Sequence, residues 1–272
     1  MYMDYSIPIY FIVCCPRSGS TWLRFLLNDH PDISCGPEFA IFSDKYGISN
    51  MIKCYRNDKS HVGFSRAMSE EKFISLVRNF CIEMYQSSAK QFKPSARIIV
   101  DKSPEHTFFL NDIRYIFPNT KFIFLIRDPR DTSISLYESA KSWANGIFPK
   151  SVIESIDMWI KYNEQILKQI KEVDSLMIHY EDIINDTSRV LSKCYKYLGA
   201  ETLCKEDICN IIKKNSFNKL KKLNWHEGNF FRKGESDQWQ KILSDKELTY
   251  YEQNAKKIYE KIIQKSISKD LI

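Results

Sequence analysis

The stretch Pro16-Arg17-Ser18-Gly19-Ser20-Thr21-Trp22 decides the fold. It follows directly on the apolar run Ile9-Tyr10-Phe11-Ile12-Val13-Cys14-Cys15 and leads into Leu23-Arg24-Phe25-Leu26-Leu27. The order is a strand, a turn of small residues and a helix start, a geometry that cradles a phosphate-type anion. Successive backbone N–H groups of such a turn converge on the anion, and the first helical turn adds unpaired donors and the positive end of its dipole. Gly19 permits close approach of the backbone, Ser20 and Thr21 add hydroxyl donors, and Arg17 brings a fixed charge. The Gly-Lys-Ser/Thr ending of nucleoside triphosphatase loops is absent, so the ammonium and the magnesium-holding hydroxyl of that motif are displaced. On this segment alone, an ordinary strand–turn–helix connection is the competing reading.

Three further apolar runs read as buried parallel strands: Ile98-Ile99-Val100, Phe122-Ile123-Phe124-Leu125-Ile126 and Ser175-Leu176-Met177-Ile178. Helix-start chemistry follows each. Ser103-Pro104-Glu105 and Asp128-Pro129 put a capping residue before a proline at the first helical position, and Glu181-Asp182 places acid in a first turn. Amphipathic helices fill the intervals. Phe73, Leu76, Val77, Phe80 and Met84 are expected on the core face of one, and Met158, Ile166, Leu167 and Ile170 on that of another. Ser244-Asp245-Lys246-Glu247 reads as a capping box opening a last helix, with Leu248, Tyr251, Ala255, Ile258 and Ile262 on its stripe.

This alternation predicts an α/β fold: a single domain whose central parallel sheet is flanked by helices on both faces. It would fill residues 1–272, with a binding core over about 8–240 and a C-terminal helix over 244–265. Ligands of such sheets sit outside the carboxyl ends of the strands. Arg17 to Trp22, Asp101 to Ser103, Arg127 to Asp131 and His179 to Glu181 are therefore expected to meet at one crevice.

The 272 residues are 43% hydrophobic, enough for a sizeable core. Forty basic against 34 acidic residues give a net charge of +6, spread among acids. Nucleic-acid binders concentrate far more charge on one face, so a small anionic ligand is the better match and no nucleic-acid partner is expected. The eight cysteines form no Cys-x-x-Cys pair and read as small buried hydrophobes in a reducing compartment. No signal peptide or membrane span is legible, and the expected location is the cytoplasm. Oligomeric state is not legible.

At this point the chain resembles the sulfotransferases that use 3′-phosphoadenosine 5′-phosphosulfate (PAPS) and release adenosine 3′,5′-bisphosphate (PAP). The likeness runs from the first strand to Trp239 and implies a phosphate-loop-like sulfotransferase architecture. Pro16 to Trp22 resembles the family's 5′-phosphosulfate loop, which assigns Arg17, Ser18, Gly19, Ser20 and Thr21 to the donor and Trp22 to its adenine. Arg127 to Ser135 resembles the 3′-phosphate segment, whose first Arg and last Ser bind. Tyr180-Glu181-Asp182 is similar to the element whose tyrosine reaches the adenine. Asn215-Ser216-Phe217 is similar to the Thr-Ser-Phe whose phenylalanine packs on the base. Arg232-Lys233-Gly234 resembles the tripeptide that closes over the 3′-phosphate.

Sulfuryl transfer demands positioning and charge stabilisation. Arg17 and Lys102 are the candidates for the second task, with no metal expected. Two local readings compete: Lys102 solvated beside Asp101 or Glu105, and Arg127 bridged to Asp128 or Asp131. Such surface pairs contribute about 0–1 kcal/mol and leave the placement at strand ends unexplained. The acceptor hydroxyl needs a base. Glu38, in His30-Pro31-Asp32-Ile33-Ser34-Cys35-Gly36-Pro37-Glu38 at the end of an expected second strand, resembles the glutamate of protein-tyrosine and carbohydrate sulfotransferases. His106 is the alternative, because the small-molecule branch places a histidine two residues past the lysine. Pro104 holds that place here, and His106 stands four past Lys102.

Departures from the pattern are informative. Arg17 stands where small-molecule enzymes carry lysine. Asp237-Gln238-Trp239 replaces the usual Gly-Asp-Trp. The cysteine that partners the Cys35 position in secreted tyrosine-sulfating relatives is Val100 here. A carbohydrate or carbohydrate-containing metabolite is the favoured acceptor, with a protein tyrosine or a small alcohol or phenol as the alternative. Tyr46, Tyr55, Trp143 and Phe148 are candidates to stack on the acceptor. A phosphate-loop nucleotide kinase and a non-catalytic nucleotide-binding protein are the competing classes.

Overall fold

The computed structural model describes residues 7–45, 47–57, 63–170, 172–223, 230–231, 234 and 236–270. Among these residues five parallel strands form one sheet: β1 (Ile9–Cys14), β2 (Ile33–Ser34), β3 (Ile98–Lys102), β4 (Phe122–Ile126) and β5 (Ser175–His179), in the order β2-β3-β1-β4-β5. The order reverses about β1, so the loop after β1 opens where the connections part to either side, the position at which such sheets bind ligands.

Side chains that alternate along each strand feed two separate cores. Phe11, Val13, Phe122, Phe124 and Ile126 face one, with helices Glu70–Phe92, Leu110–Ile116 and Val152–Gln169. Ile12, Cys14, Ile98, Val100, Ile123 and Leu125 face the other, with helices Ser20–Asn28 and Thr187–Leu198. A sheet covered on both faces explains why its strands read as continuous apolar runs.

β3 extends two residues beyond the expected run, taking in Asp101 and Lys102, both buried. β2 is a two-residue strand, so Glu38 lies in the loop beyond it rather than at a strand end. The expected closing helix divides at Ala255 into Asp245–Asn254 and Lys256–Asp270, with the Ser244/Glu247 capping box formed.

The helix Glu70–Phe92 corrects one expectation. Phe73 and Val77 face the core, together with Cys81, Tyr85 and Ala89, whereas Leu76, Phe80 and Met84 are exposed. Two neighbouring apolar stripes, each with a four-residue step, run along this helix, and only one meets the sheet.

Candidate active site

One cleft opens across the carboxyl ends of the strands, where ligands of such sheets bind. It is lined by Arg17 and Gly19 from the loop after β1, Ser20, Thr21 and Trp22 from the start of the helix that follows, Lys102 from β3, Arg127 just after β4 and Tyr180 just after β5. Pro16, Glu38, Pro104, Ser135, Phe217, Phe230, Phe231, Gly234 and Gln238 complete the wall. Each of the four expected strand ends reaches the cleft through at least one residue, whereas Ser18, Asp101, Ser103, Asp128 to Asp131, His179 and Glu181 do not line it.

The loop's backbone explains its sequence. Gly19 has φ +89°, and a Cβ there would overlap the Tyr180 ring. Glycine is required here because the Tyr180 ring packs directly on it. Helix Ser20–Asn28 starts at Gly19 with no side-chain cap. By geometry the first amides of a helix have no intrahelical acceptor, so this end suits an anion. Ser18 is buried, and its hydroxyl has no hydrogen-bond partner among the described residues.

Arg17 adopts φ +67°, an uncommon conformation for a side-chain-bearing residue. Its Nε donates to Ser135 Oγ at 3.2 Å and its Nη2 to the Phe230 carbonyl at 2.7 Å. The guanidinium lies 4.9 Å from the Phe230 ring centre and 5.6 Å from that of Trp143. Arg127 is buried; its Nη1 donates to the Arg17 carbonyl at 3.2 Å, and its guanidinium lies 4.3 Å from the Tyr180 ring centre. Trp159 Nε1 donates to the Arg127 carbonyl at 3.0 Å and fixes the end of β4 from below. Burial pushes the Tyr180 phenol up, opposed by the charge of Arg127.

Aromatic rings form the far wall. Trp22 meets Tyr180 and Phe217 edge-on at 6.1 and 6.4 Å, and its Nε1 donates to the Asn215 carbonyl at 3.0 Å. Gly234, at φ +72°, sits so close to the Phe217 ring that a Cβ would overlap it. Ser216 starts the short helix Phe217–Lys221 and does not line the cleft. Arg232 and Lys233 lie outside the described residues, as does Tyr46. Phe230 and Phe231 were missed by sequence reasoning. Their signal was adjacency to Arg232-Lys233-Gly234.

On the opposite side Lys102 is 2% exposed; its Nζ pairs with the Glu38 carboxylate, which is half-exposed, and lies 3.4 Å from Thr21 Oγ1. The solvated-lysine reading is therefore excluded. The Glu38 loop is held from behind. Asp101 accepts the Tyr85 hydroxyl at 2.6 Å and the Ser103 hydroxyl at 3.1 Å, and Ser103 Oγ accepts the Ala40 N–H at 3.1 Å.

His106 is fully buried and does not line the cleft. It stands against Phe11 and Phe42 at 5.4 and 5.9 Å, 3.7 Å from Asp101. Neither ring nitrogen has a hydrogen-bond partner among the described residues. Burial lowers its pKa, opposed by Asp101. Of the proposed stacking residues, Tyr55 is stacked on Phe73 at 4.1 Å in the core, while Trp143 packs on Phe148 and Phe230 beside Arg17. The cysteines of the chain are free thiols; Cys14, Cys15, Cys35, Cys81 and Cys194 are buried as expected, whereas Cys54, Cys204 and Cys209 are exposed. Ser34 of β2 is registered with Ile99 of β3, so Cys35, the residue after β2, follows next in register with Val100 of β3. Among the described residues, no helix is long and apolar enough to cross a membrane.

Residues 8–203 match the model of the Sulfotransferase family. The chain is 28% identical over 198 residues to a protein-tyrosine sulfotransferase of Drosophila melanogaster, covering 71% of this chain and 38% of the relative. It is 26% identical over 196 residues to protein-tyrosine sulfotransferase 1 of Danio rerio, covering 71% and 54%. The matches thus span about two fifths to about half of these relatives' length. Among solved structures, a mouse sulfotransferase complexed with PAP shares the fold at a TM-score of 0.58, with 16% identity over 92% of this chain and 83% of that one. The sulfotransferase domain of the curacin biosynthetic pathway shares it at 0.56, with 18% identity over 91% and 97%. With a family match over most of its length, the chain belongs to the sulfotransferase family.

Proposed function

We propose that this chain transfers a sulfuryl group from PAPS to a hydroxyl oxygen, and that the acceptor is the phenol of a tyrosine in a peptide or protein. The observation that carries the reaction is the single cleft in which Arg17, Lys102, Glu38 and Arg127 meet. The tyrosyl acceptor draws support from the relatives, which are named protein-tyrosine sulfotransferases. The carbohydrate acceptor favoured by the sequence finds no such support, and the alternative replaces it.

The residues present fit the nucleotide: a loop of small residues with an uncapped helix start, two arginines and an aromatic wall. PAPS supplies the sulfuryl group when bound. Arg17, Arg127 and Ser135 hold phosphate oxygens, and Trp22, Tyr180 and Phe217 flank the base. Lys102, desolvated between Thr21 and Glu38, offsets negative charge that develops on the oxygen being released, where a fixed ammonium in a dry site acts most strongly. Glu38, half-exposed at the cleft, takes the proton of the acceptor hydroxyl. No residue assigned here needs a metal to act.

The test is to incubate the full chain with labelled PAPS and a tyrosine peptide, its phenylalanine counterpart, or a sugar alcohol, each with and without a chelator. Mass spectrometry should find one sulfuryl group on the tyrosine peptide alone, unaffected by the chelator. Transfer only to the sugar, or none to any acceptor, contradicts the reading.

A further inference from the structure

Asp131 stands in the first turn of helix Pro129–Ala140, where an acid ordinarily complements the helix dipole. Its contacts reach further than that role requires. The residue is 2% exposed; Oδ2 accepts the backbone N–H of Asp237 at 2.7 Å, and Oδ1 accepts that of Trp239 at 3.1 Å. Both amides point the same way because Asp237 has φ +60° and Gln238 has φ −66° and ψ −24°. A left-handed residue followed by a right-handed one turns alternate amides into a concavity that grips an anion. Here the anion is a side chain from 106 residues earlier in the chain.

A second contact clamps the same place. Arg130, held by both Asp128 carboxylate oxygens, lies 3.7 Å from the Trp239 ring centre and 4.9 Å from that of Tyr251. The segment so anchored contributes Gly234 and Gln238 to the cleft wall, although neither Asp131 nor Asp237 lines the cleft. The departure noted in the sequence also becomes intelligible. Asp237 occupies the place of a glycine at positive φ, a conformation aspartate tolerates better than most residues.

We propose that Asp131 is a positioning residue. Through the paired amides of Asp237 and Trp239 it holds the segment that walls the cleft beside Phe217, and so sets how long a bound nucleotide stays. The inference rests on the nucleotide reading of the cleft given above. The charge of Asp131 also acts on Arg127, so loss of charge and loss of the amide grip must be told apart.

The experiment measures dissociation of adenosine 3′,5′-bisphosphate from the immobilised full chain by surface plasmon resonance. Asp131→Ala should speed dissociation about tenfold, the equivalent of about 1.4 kcal/mol. Asp237→Pro removes one gripping amide and the φ it needs while leaving Asp131 and Arg127 in place. It should give a similar increase, and the double variant should add less than about twofold, as expected for two changes that break one contact. Asp237→Gly should match the unmodified chain. A purely electrostatic role for Asp131 predicts unmodified kinetics for Asp237→Pro, and that result overturns the proposal. If Asp131→Ala fails to fold, Asp237→Pro alone decides. Hydrogen exchange over residues 236–242 without nucleotide separates the two levels of failure. Faster exchange in Asp131→Ala with no nucleotide binding by the unmodified chain overturns the nucleotide reading, and with it the retention role. Unchanged exchange overturns the anchor itself.

Discussion

Arg127 Nη1 donates to the carbonyl oxygen of Arg17 at 3.2 Å, so the residue that follows β4 grips the residue that opens the loop after β1. Arg17 in turn reaches Ser135 on the helix that follows Arg127. The two basic groups assigned to the two ends of a nucleotide thus belong to one hydrogen-bonded unit. The unusual φ of Arg17, which costs on the order of 1–2 kcal/mol, is held at both its carbonyl and its side chain.

Gly19 is the tightest point of that unit. Gly19→Ala would place a methyl group against the Tyr180 ring at a φ that L residues rarely adopt. The backbone term alone is about 1–2 kcal/mol, or roughly 2–8 °C in Tm for a chain of this size. Moving Tyr180 also disturbs the ring beneath Arg127. Thermal melting should show the loss, and calorimetry a fall in adenosine 3′,5′-bisphosphate affinity of about tenfold. A variant with unmodified values on both counts contradicts the packing role of this glycine.

Glu38→Gln should abolish turnover, by about 10²–10⁴-fold for loss of a general base, while nucleotide affinity is retained. The variant leaves Lys102 without its carboxylate partner at 2% exposure. Glu38 itself is half-exposed, which discounts the pair to about 1 kcal/mol, so Tm should fall by only a few degrees. An active Glu38→Gln enzyme removes Glu38 from its assigned role.

His106 gives a pH signature. Its folded pKa lies below the ordinary value because burial disfavours the imidazolium. Below about pH 6.5 the unfolded chain therefore takes up a proton that the folded chain does not, and stability is lost as pH falls. His106→Leu should flatten this dependence: the Tm advantage of the unmodified chain at pH 7.5 should shrink at pH 5.5. Turnover should persist, since the ring is sealed against Phe11 and Phe42. Loss of turnover with an intact melt would return His106 to the catalytic group.

Much of this was legible because strand ends carry chemistry that a core does not need. Arg17, Lys102, Arg127 and Tyr180 each follow or end an apolar run, and a parallel sheet gathers such positions on one edge. Contacts between distant segments were illegible. Nothing in spacing tells that Asp131 meets Asp237, or that Ser103 holds Ala40 behind Glu38. The helix Glu70–Phe92 failed for a different reason: Phe73-Val77-Cys81 and Leu76-Phe80-Met84 are equally periodic, and only the sheet's position decides between them. His106, the alternative base, lies in the turn Pro104–Phe108 and is buried in the core, a placement that its spacing from Lys102 does not reveal.

The central claim is that Arg17 and Arg127 share one nucleotide, and calorimetric titration with adenosine 3′,5′-bisphosphate tests it most directly. The full chain should bind it without magnesium. Arg127→Ala, which removes a charged donor and releases the Arg17 carbonyl, should weaken binding by about 1.5–3 kcal/mol, roughly ten- to a hundred-and-fiftyfold. No heat with this nucleotide, together with binding of magnesium ATP, would contradict the account.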